Sequence, residues 1–205
     1  MKRAKLERMD WTYTIKDYVR LEDEAVNVKH EFIDGDIRAM AGGTLDHARI
    51  GTNLAAVVAS QLRDGPCSTF SSDARVRVRG KSIITYADLT VACGEEEVDT
   101  EDPCALVNPI VLFEVTSSSS ERYDRGQKFV HYQGIASLRE YVIVSHRERL
   151  VEVFRPRADG TWALAERGES GGRVHLTSIK CVLDIDEVYR NTRSASLPHH
   201  DRTPT

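Results

Sequence analysis

The chain has 205 residues, of which 40% are hydrophobic and 29% are charged. This composition is typical of a globular protein and excludes a chain that is disordered throughout. The formal net charge of −4 and the isoelectric point near 6.0 exclude a global basic field, so a polyanionic partner would need a local patch.

The ends of the chain differ from its interior in composition. We expect one domain over residues 11–190, between flexible tails at 1–10 and 191–205 that have too few apolar residues to pack. The basic start MKRAKLERMD leads into no apolar segment, so we expect no signal peptide, no membrane span and a cytoplasmic location. Four cysteines lack zinc-site spacing and are expected to be reduced, mostly buried thiols: Cys67, Cys93, Cys104 and Cys181.

The first third of the chain predicts a helix, a hairpin and a second helix. Thr14 is a candidate N-cap for a helix in TIKDYVRLEDEA. The hairpin pairs residues 31–33 with 36–40 through an Asp34-Gly35 turn. Apolar residues at helical spacing in TLDHARIGTNLAAVVASQLRDG predict a long helix that stops at Gly65-Pro66.

The remainder alternates predicted strands with one further helix. Strands are expected at 67–70, 73–79, 84–92 and 109–115, followed by a helix at 120–133. Four more strand candidates and a short closing helix complete the chain, in EYVIVSH, RLVEVFRP, TWALAER, GRVHLTS and LDIDEVYR. The pattern predicts an α/β architecture in which helices flank a mixed sheet.

The segment RVRVRGK is the most basic strand candidate. Its charged residues alternate with valines and therefore lie on one face of the strand: Arg75, Arg77, Arg79 and Lys81. Such a face is either simply solvated or a local surface for nucleic acid.

Two apolar strand candidates each contain one acid. In PIVLFEV, Glu114 shares a face with Leu112, while Phe113 and Val115 point the other way. In IITYADLTVAC, Asp88 interrupts a similar apolar run. A carboxylate in such surroundings needs a proton, a cation or a metal beside it. If the two strands are neighbours, a divalent ion would relieve the repulsion between the two acids, and Mg²⁺ or Mn²⁺ suits their oxygen ligands.

The four serines of TSSSS form a loop between the strand of Glu114 and the next helix. Ser118 and Glu121 have the spacing of a capping box, so the loop is expected to start that helix. Asp124 and Lys128 then lie one turn apart on the stripe that continues to Tyr132. Asp124 and Lys128 either form an ordinary ion pair on the helix surface, or lie on a stripe that folds back toward Glu114. A serine nucleophile is not supported, because the GxSxG elbow is missing from the sequence.

Taken in order, Glu31, Asp88, Glu114 and Lys128 resemble the motif of the Uma-two family, within the PD-(D/E)XK restriction-endonuclease-like superfamily. The resemblance covers about residues 14–155 and runs through KHEFIDGDIRAMAGG, DHARIGTNLAAVVASQL, SDARVRV, TYADLTVAC, FEVTSSSS and YDRGQKFVHYQGIASLREYVIV. It implies an α/β fold with a restriction-endonuclease-like core, a mixed β-sheet flanked by α-helices, and additional antiparallel strands.

The resemblance also implies a metal site. Asp88, Glu114 and the backbone carbonyl of Val115 would hold Mg²⁺ or Mn²⁺, while Glu31 would bind the metal through water or recruit a second ion. The chain departs from the family pattern at Ala87, where a proline is usual.

A second departure concerns the catalytic lysine. Thr116 stands where the superfamily pattern has that lysine, and in this family the role moves to the following helix, where Lys128 stands. Lys128 would then orient the attacking water or offset developing charge.

The implied activity is hydrolysis of nucleic-acid phosphodiester bonds, with DNA as the expected substrate, Arg75, Arg77 and Arg79 as the expected contact face and a homodimer as the expected assembly. The alternative is a catalytically inactive nuclease-like scaffold that binds nucleic acid or oligomerises.

Four residues are candidates for supporting positions around the site, each with a simpler explanation. They are His47, which suits a helix cap, Asp73, which suits a local charge partner, Asp124, which suits an ion pair, and Tyr132, which suits the core.

Overall fold

The computed structural model describes residues 12–40 and 42–193. The tail predicted at 1–10 and most of the one predicted at 191–205 lie outside these residues. Within them, no helix has the length and apolar character needed to cross a membrane.

Five α-helical segments and one π-helical turn occur in the described residues. The two long helices begin at threonine caps, because the Thr14 and Thr44 hydroxyls each accept a bond from a backbone N–H of the first turn. In chain order the segments are α1 (Ile15–Glu24), α2 (Leu45–Leu62), α3 (Glu121–Tyr123), the π-helical turn (Asp124–Lys128), α4 (Phe129–Tyr132) and α5 (Ile185–Val188).

The strands of the described residues form three sheets, of five, six and two strands. In chain order they are β1 (His30–Ile33), β2 (Asp36–Ala39), β3 (Cys67–Ser71), β4 (Arg75–Val78), β5 (Ile83–Tyr86), β6 (Leu89–Cys93), β7 (Ala105–Leu106), β8 (Val111–Val115), β9 (Glu140–Val144), β10 (Leu150–Pro156), β11 (Trp162–Glu169), β12 (Arg173–Leu176) and β13 (Cys181–Asp184).

The five-stranded sheet has the order β2-β1-β5-β4-β7 and the six-stranded sheet the order β11-β10-β9-β8-β6-β3. The latter sheet is mixed, because β8 pairs in parallel with β9 and antiparallel with β6. Helices flank these sheets, which confirms the predicted fold class. The first helix, the hairpin, the second helix and the pairing of the two acid-bearing strands are confirmed as well.

Strand β8 lies between two apolar clusters. Phe113 and Val115 pack with the buried stripe of α2, which includes Ile50, Leu54 and Val58, whereas Leu112 packs on the other side. Side chains alternate along a strand, so Glu114 belongs to the same side as Leu112.

The single strand predicted at 84–92 is instead two strands in different sheets. β5 ends at Tyr86 in the five-stranded sheet, and β6 begins at Leu89 in the six-stranded one. Asp88 lies in the crossing, where its N–H donates to the Phe113 carbonyl at 3.0 Å. The apolar pattern missed this break because both halves are buried strands.

The helix predicted at 120–133 is also irregular. It starts after Ser120 without a side-chain cap, passes through the π-helical turn and ends as α4. The predicted capping box is wrong, because Ser117 and Ser120 bond each other and Glu121 pairs with Arg125 and Arg147. The closing segment, predicted as a helix, is β13 followed by the single turn α5.

Two of the cysteine predictions are wrong. Cys67 and Cys93 stand directly opposite each other in β3 and β6 and form a disulfide. Their separation of 26 residues gave no sign of this, because the pairing depends on strand register. Of the two free cysteines, Cys181 is buried as predicted and Cys104 is exposed.

The basic strand β4 is buried between β5 and β7, so the prediction of a solvated or open cationic face is wrong for most of it. Arg75 and Arg77 are each only 8% exposed and bond internal carboxylates or carbonyls. Arg79, just past the strand, is exposed and pairs with Glu97 at 3.1 Å. A strand that is covered on both edges needs partners for its charges, and the neighbouring loops supply them.

Candidate active site

A cavity of about 470 Å³ opens where the two large sheets meet. It is bounded by β1, the start of α2, the crossing at Asp88, the end of β8, the serine loop and the π-helical turn. These elements bring together seven of the predicted residues in its wall: Glu31, His47, Asp88, Glu114, Val115, Asp124 and Lys128.

Asp88 is held in place by the neighbouring strand. The Val115 N–H donates to Asp88 Oδ2 at 2.7 Å, which adds a side-chain bond to the pairing of β6 with β8. The Asp88 carboxylate thus lies beside Val115 at the end of β8. The Asp88 side chain is 22% exposed. Asp88 is therefore fixed in position and open to the cavity.

Glu114 and Lys128 form a buried ion pair at the floor of the cavity. Lys128 Nζ lies 2.9 Å from Glu114 Oε1 and donates to the Tyr86 carbonyl at 2.8 Å. The two side chains are 4% and 5% exposed. Lys128 is the last residue of the π-helical turn, a feature that often occurs at functional sites. Asp124, Lys128 and Tyr132 are all buried, so the stripe predicted from their spacing is kept through this turn.

Glu31 reaches the same ammonium from the other sheet. Its Oε1 lies 3.4 Å from Lys128 Nζ, yet that oxygen has no hydrogen-bond partner among the described residues. The Tyr123 hydroxyl, in the same cavity wall, is likewise buried without a partner in the described part of the chain. A buried polar atom without a partner costs free energy, so both groups are suited to contact a ligand.

The pKa values reflect a surplus of carboxylates. Burial raises the pKa of Glu114 well above its usual value, Lys128 opposes this shift, and Asp88 and Asp124 add to it. Burial alone would lower the pKa of Lys128, but Glu114, Glu31 and Asp124 outweigh it and hold the ammonium protonated. Burial also raises the pKa of Asp124. The cavity therefore holds four carboxyl groups beside the single Lys128 ammonium.

This donor set fits a hard divalent cation. In the described residues, no group of three or more His, Cys, Asp and Glu side chains is arranged to hold a metal ion. Mg²⁺, however, is ordinarily bound through one or two carboxylates, with waters and substrate phosphate completing its coordination. Asp88 and Glu114 supply two carboxylates, and Val115, which directly follows Glu114 in the chain, lines the same cavity.

His47 stands over the same group. Its Nε2 lies 3.4 Å from Asp88 Oδ2, and a bond to Asp88 raises the pKa of the imidazole, with burial opposing and the Val115 carbonyl adding to the shift. The His47 N–H also donates to the Thr44 cap. The helix cap is therefore Thr44 and not His47, whose imidazole instead faces Asp88.

Tyr132 holds the Glu114 carboxylate in place by a hydrogen bond from the core. Its ring is fully buried in the core, and its hydroxyl donates to Glu114 Oε1 at 3.0 Å and bonds Thr85 Oγ1 at 2.7 Å. The core explanation is thus correct, and the hydroxyl also orients the carboxylate. Tyr141 fixes the π-helical turn in a similar way, because its hydroxyl donates to the Asp124 carbonyl at 2.9 Å.

The remaining predicted residues lie outside this cavity. Asp73 has a side chain that is 79% exposed and pairs with Lys29, while Arg75, Arg77 and Arg79 do not line the cavity. The motif did not point to several groups that do line it. They are Arg38, Tyr123 and the hydroxyl-bearing Ser117, Ser119 and Ser120. Only the run of serines beside Glu114 was a signal in the sequence, and it was interpreted as a cap.

Comparison with known proteins identifies the family of the chain. Residues 15–184 match the family model described as "Uma2: Putative restriction endonuclease". The chain is 30% identical over 175 residues to the uncharacterised protein slr1290 of Synechocystis sp., covering 85% of this chain and 90% of that one. It is 29% identical over 167 residues to sll1609 of the same organism, covering 82% and 94%.

A solved structure is similar in fold. The crystal structure of "a putative nuclease belonging to DUF820" from Anabaena variabilis superposes with a TM-score of 0.69 at 16% identity. The match covers 86% of this chain and 97% of that chain. At this identity the likeness concerns the fold alone.

Proposed function

Since the chain belongs to the Uma2 family of "putative restriction endonucleases", we propose that it is a divalent-metal-dependent endonuclease that hydrolyses phosphodiester bonds, with DNA as its substrate. One observation carries the proposal. Asp88, Glu114, Lys128 and Glu31 come from four separate segments and line one open cavity with a surplus of carboxylates.

The residues divide the chemistry between them. Asp88, Glu114 and the Val115 carbonyl would hold Mg²⁺ or Mn²⁺, whose contribution is polarisation of the phosphate and an activated water. Lys128 has three N–H donors, and its shortest bonds, to Glu114 and the Tyr86 carbonyl, fix the ammonium at the cavity floor. There it offsets the charge that develops on the phosphate.

Glu31 has a different role from Asp88 and Glu114, the two carboxylates that would bind the metal. It approaches Lys128 from β1 and leaves Oε1 free of hydrogen bonds within the described residues. It keeps the ammonium protonated and directed into the cavity, and its free oxygen can accept a bond from a water beside the phosphate. Tyr132 orients Glu114 by the bond to Oε1.

The test is nicking of supercoiled plasmid in Mg²⁺ or Mn²⁺. Asp73→Asn is a matched control, because this exposed aspartate lies outside the cavity. The wild type and Asp73→Asn should nick the plasmid, whereas Asp88→Asn should not, and EDTA should stop all cutting. Equal cutting by Asp88→Asn would refute the proposal. A folded wild type that binds nucleic acid but cuts neither DNA nor RNA would leave the inactive scaffold as the function.

Two extensions belong to the same proposal. A homodimer would present two cavities to the two strands of a duplex, and light scattering of the purified protein tests this assembly. Action on chromosomal or plasmid DNA would place the protein in the cytoplasm, which fractionation of cells tests.

A further inference from the structure

A second cavity, of about 640 Å³, opens beside the candidate active site. The two cavities share six residues of their walls, so they are compartments of one continuous cleft. The shared residues are Met40, Gly42, Gly43, His47, Ser72 and Asp88. Asp88 and His47 therefore stand at the junction, and whatever is bound at Asp88 can continue into this second compartment, called here the side groove.

The side groove differs from the active-site cavity in charge. The active-site cavity is lined by four carboxylates, whereas Asp88 at the junction is the one carboxylate that lines the side groove within the described residues. Its other polar groups are neutral or cationic and include Asn27, Lys29 and Thr52. A polyanion is repelled less in the side groove than in the active-site cavity.

One wall of the side groove allows close approach of a chain. The face of α2 that borders it consists of small side chains: Ala48, Gly51, Thr52 and Ala55. A Cβ atom built on Gly51 would meet no other atom within 4 Å, so open space lies above this glycine. Opposite stands Val28, which is 47% exposed and offers apolar surface to cover.

Lys29 supplies a cation at the groove. Its Nζ donates to the Ser72 carbonyl at 2.8 Å and pairs with Asp73 at 2.5 Å. The Asp73 side chain is 79% exposed, so solvent screens this pair and weakens it. A phosphate in the groove could therefore take the place of Asp73 beside the ammonium.

We propose that the side groove binds the nucleotide next to the scissile phosphate, so that the substrate is a nucleic-acid strand that is unpaired at this position. This inference rests on the proposed function. The cavity is large enough for a small organic ligand, whose pockets span roughly 300–1,000 Å³, and it is bounded on two sides by α2 and by the segment before β1. A base pair would need its partner strand between the same two walls.

The test fills the groove without touching the acids. Gly51→Trp places a large side chain in the open space above α2, and Ser60→Trp is the matched control on an exposed part of the same helix that lines neither cavity. Binding of a labelled oligothymidylate is measured by fluorescence anisotropy with Ca²⁺. Hydrolysis of bis(p-nitrophenyl) phosphate, which has one diester and no neighbouring nucleotide, is measured with Mn²⁺.

Gly51→Trp should weaken oligothymidylate binding by about tenfold or more, since the contacts of one nucleotide are lost, while Ser60→Trp binds as the wild type does. Hydrolysis of the small diester should be unchanged in both variants. Lys29→Met should reduce the slope of log affinity against log salt by about 0.7, the value for one phosphate contact on a single strand.

The outcomes separate the two proposals. If the wild type binds no oligothymidylate, or Gly51→Trp binds it as tightly as Ser60→Trp does, the inference is overturned. It is overturned as well if Gly51→Trp loses diester hydrolysis to the same extent as binding. If the variants behave as expected in binding while no protein hydrolyses the small diester or DNA, the side groove stands and the endonuclease proposal fails.

Discussion

Two buried clusters of charge meet at Tyr86, and the one around Lys128 lines the active-site cavity. The Tyr86 carbonyl accepts a bond from Lys128, on the active-site side. Its hydroxyl donates to Glu22 at 2.6 Å and accepts a bond from Arg75, in the cluster that joins α1 to β4. Both clusters contain one strongly buried cation among carboxylates, so burial and charge alone do not tell them apart.

The clusters differ in how completely the cation is used and in what lies beside it. Arg75 donates from three nitrogens, to Tyr86, Asp102 and Asp23, at 3.0 to 3.1 Å. Asp102 is fully buried and lines neither compartment of the cleft. Each cluster keeps one buried carboxylate oxygen without a hydrogen-bond partner among the described residues, Asp102 Oδ2 beside Arg75 and Glu31 Oε1 beside Lys128. Only the second of these two oxygens belongs to a residue that lines the active-site cavity, where Asp88 is open as well. The difference teaches that a functional cluster is recognised by acceptors that line a cavity, and not by an unpaired oxygen alone.

The largest effect is expected when the cluster around Arg75, called here the closed cluster, is broken. Arg75→Met should lower the free energy of unfolding by about 3–5 kcal/mol, because it leaves Asp102 buried without its cation. Urea unfolding measures the change, and nicking activity per folded molecule should stay close to that of the wild type.

Arg79→Met is the matched control for this change. The Arg79–Glu97 pair is exposed on both sides, and its loss should cost about 0–1 kcal/mol. Equal destabilisation by the two substitutions would mean that the closed cluster does not contribute to stability as described.

The next largest effect is expected when the cluster around Lys128, called here the open cluster, is broken. Lys128→Met should reduce nicking by about 10²–10³-fold, because the charge that offsets the transition state is removed. Nicking by folded protein is compared with that of Arg75→Met at a temperature where both variants remain native by circular dichroism. If Arg75→Met loses as much activity as Lys128→Met, the functional distinction between the clusters is wrong.

The smallest effect sharpens the comparison within the open cluster. Tyr132→Phe keeps the buried ring and removes the donor to Glu114, which also leaves the Thr85 hydroxyl without this partner. We expect a loss of about 1–3 kcal/mol in the free energy of unfolding and a smaller loss of activity than in Lys128→Met.

Tyr189→Phe provides a comparison for this change, because its hydroxyl is equally buried but bonds only backbone groups of Ser145 and Leu150. It should lower stability and leave activity per folded molecule unchanged. Identical activity of the two variants would argue against a role of Tyr132 in orienting Glu114.

The sequence by itself determined the local elements and the chemical identity of the site. The Thr14 cap, the Asp34-Gly35 turn and the apolar stripe of α2 are fixed by neighbours within a few residues, so their pattern was sufficient. Alternation along β8 likewise placed Glu114 opposite to Phe113 and Val115. The ordered acids and the displaced lysine gave the family, and with it the expected cavity residues.

Tertiary structure alone decided which charged groups are used for folding and which face the cleft. The basic strand looked open in sequence and is closed, because β7 and the loop of Asp102 cover it. The break at Asp88 and the disulfide of Cys67 with Cys93 both depend on which strands pair and in what register. Those pairings join residues far apart in the chain, and periodicity within one segment carries no information about them.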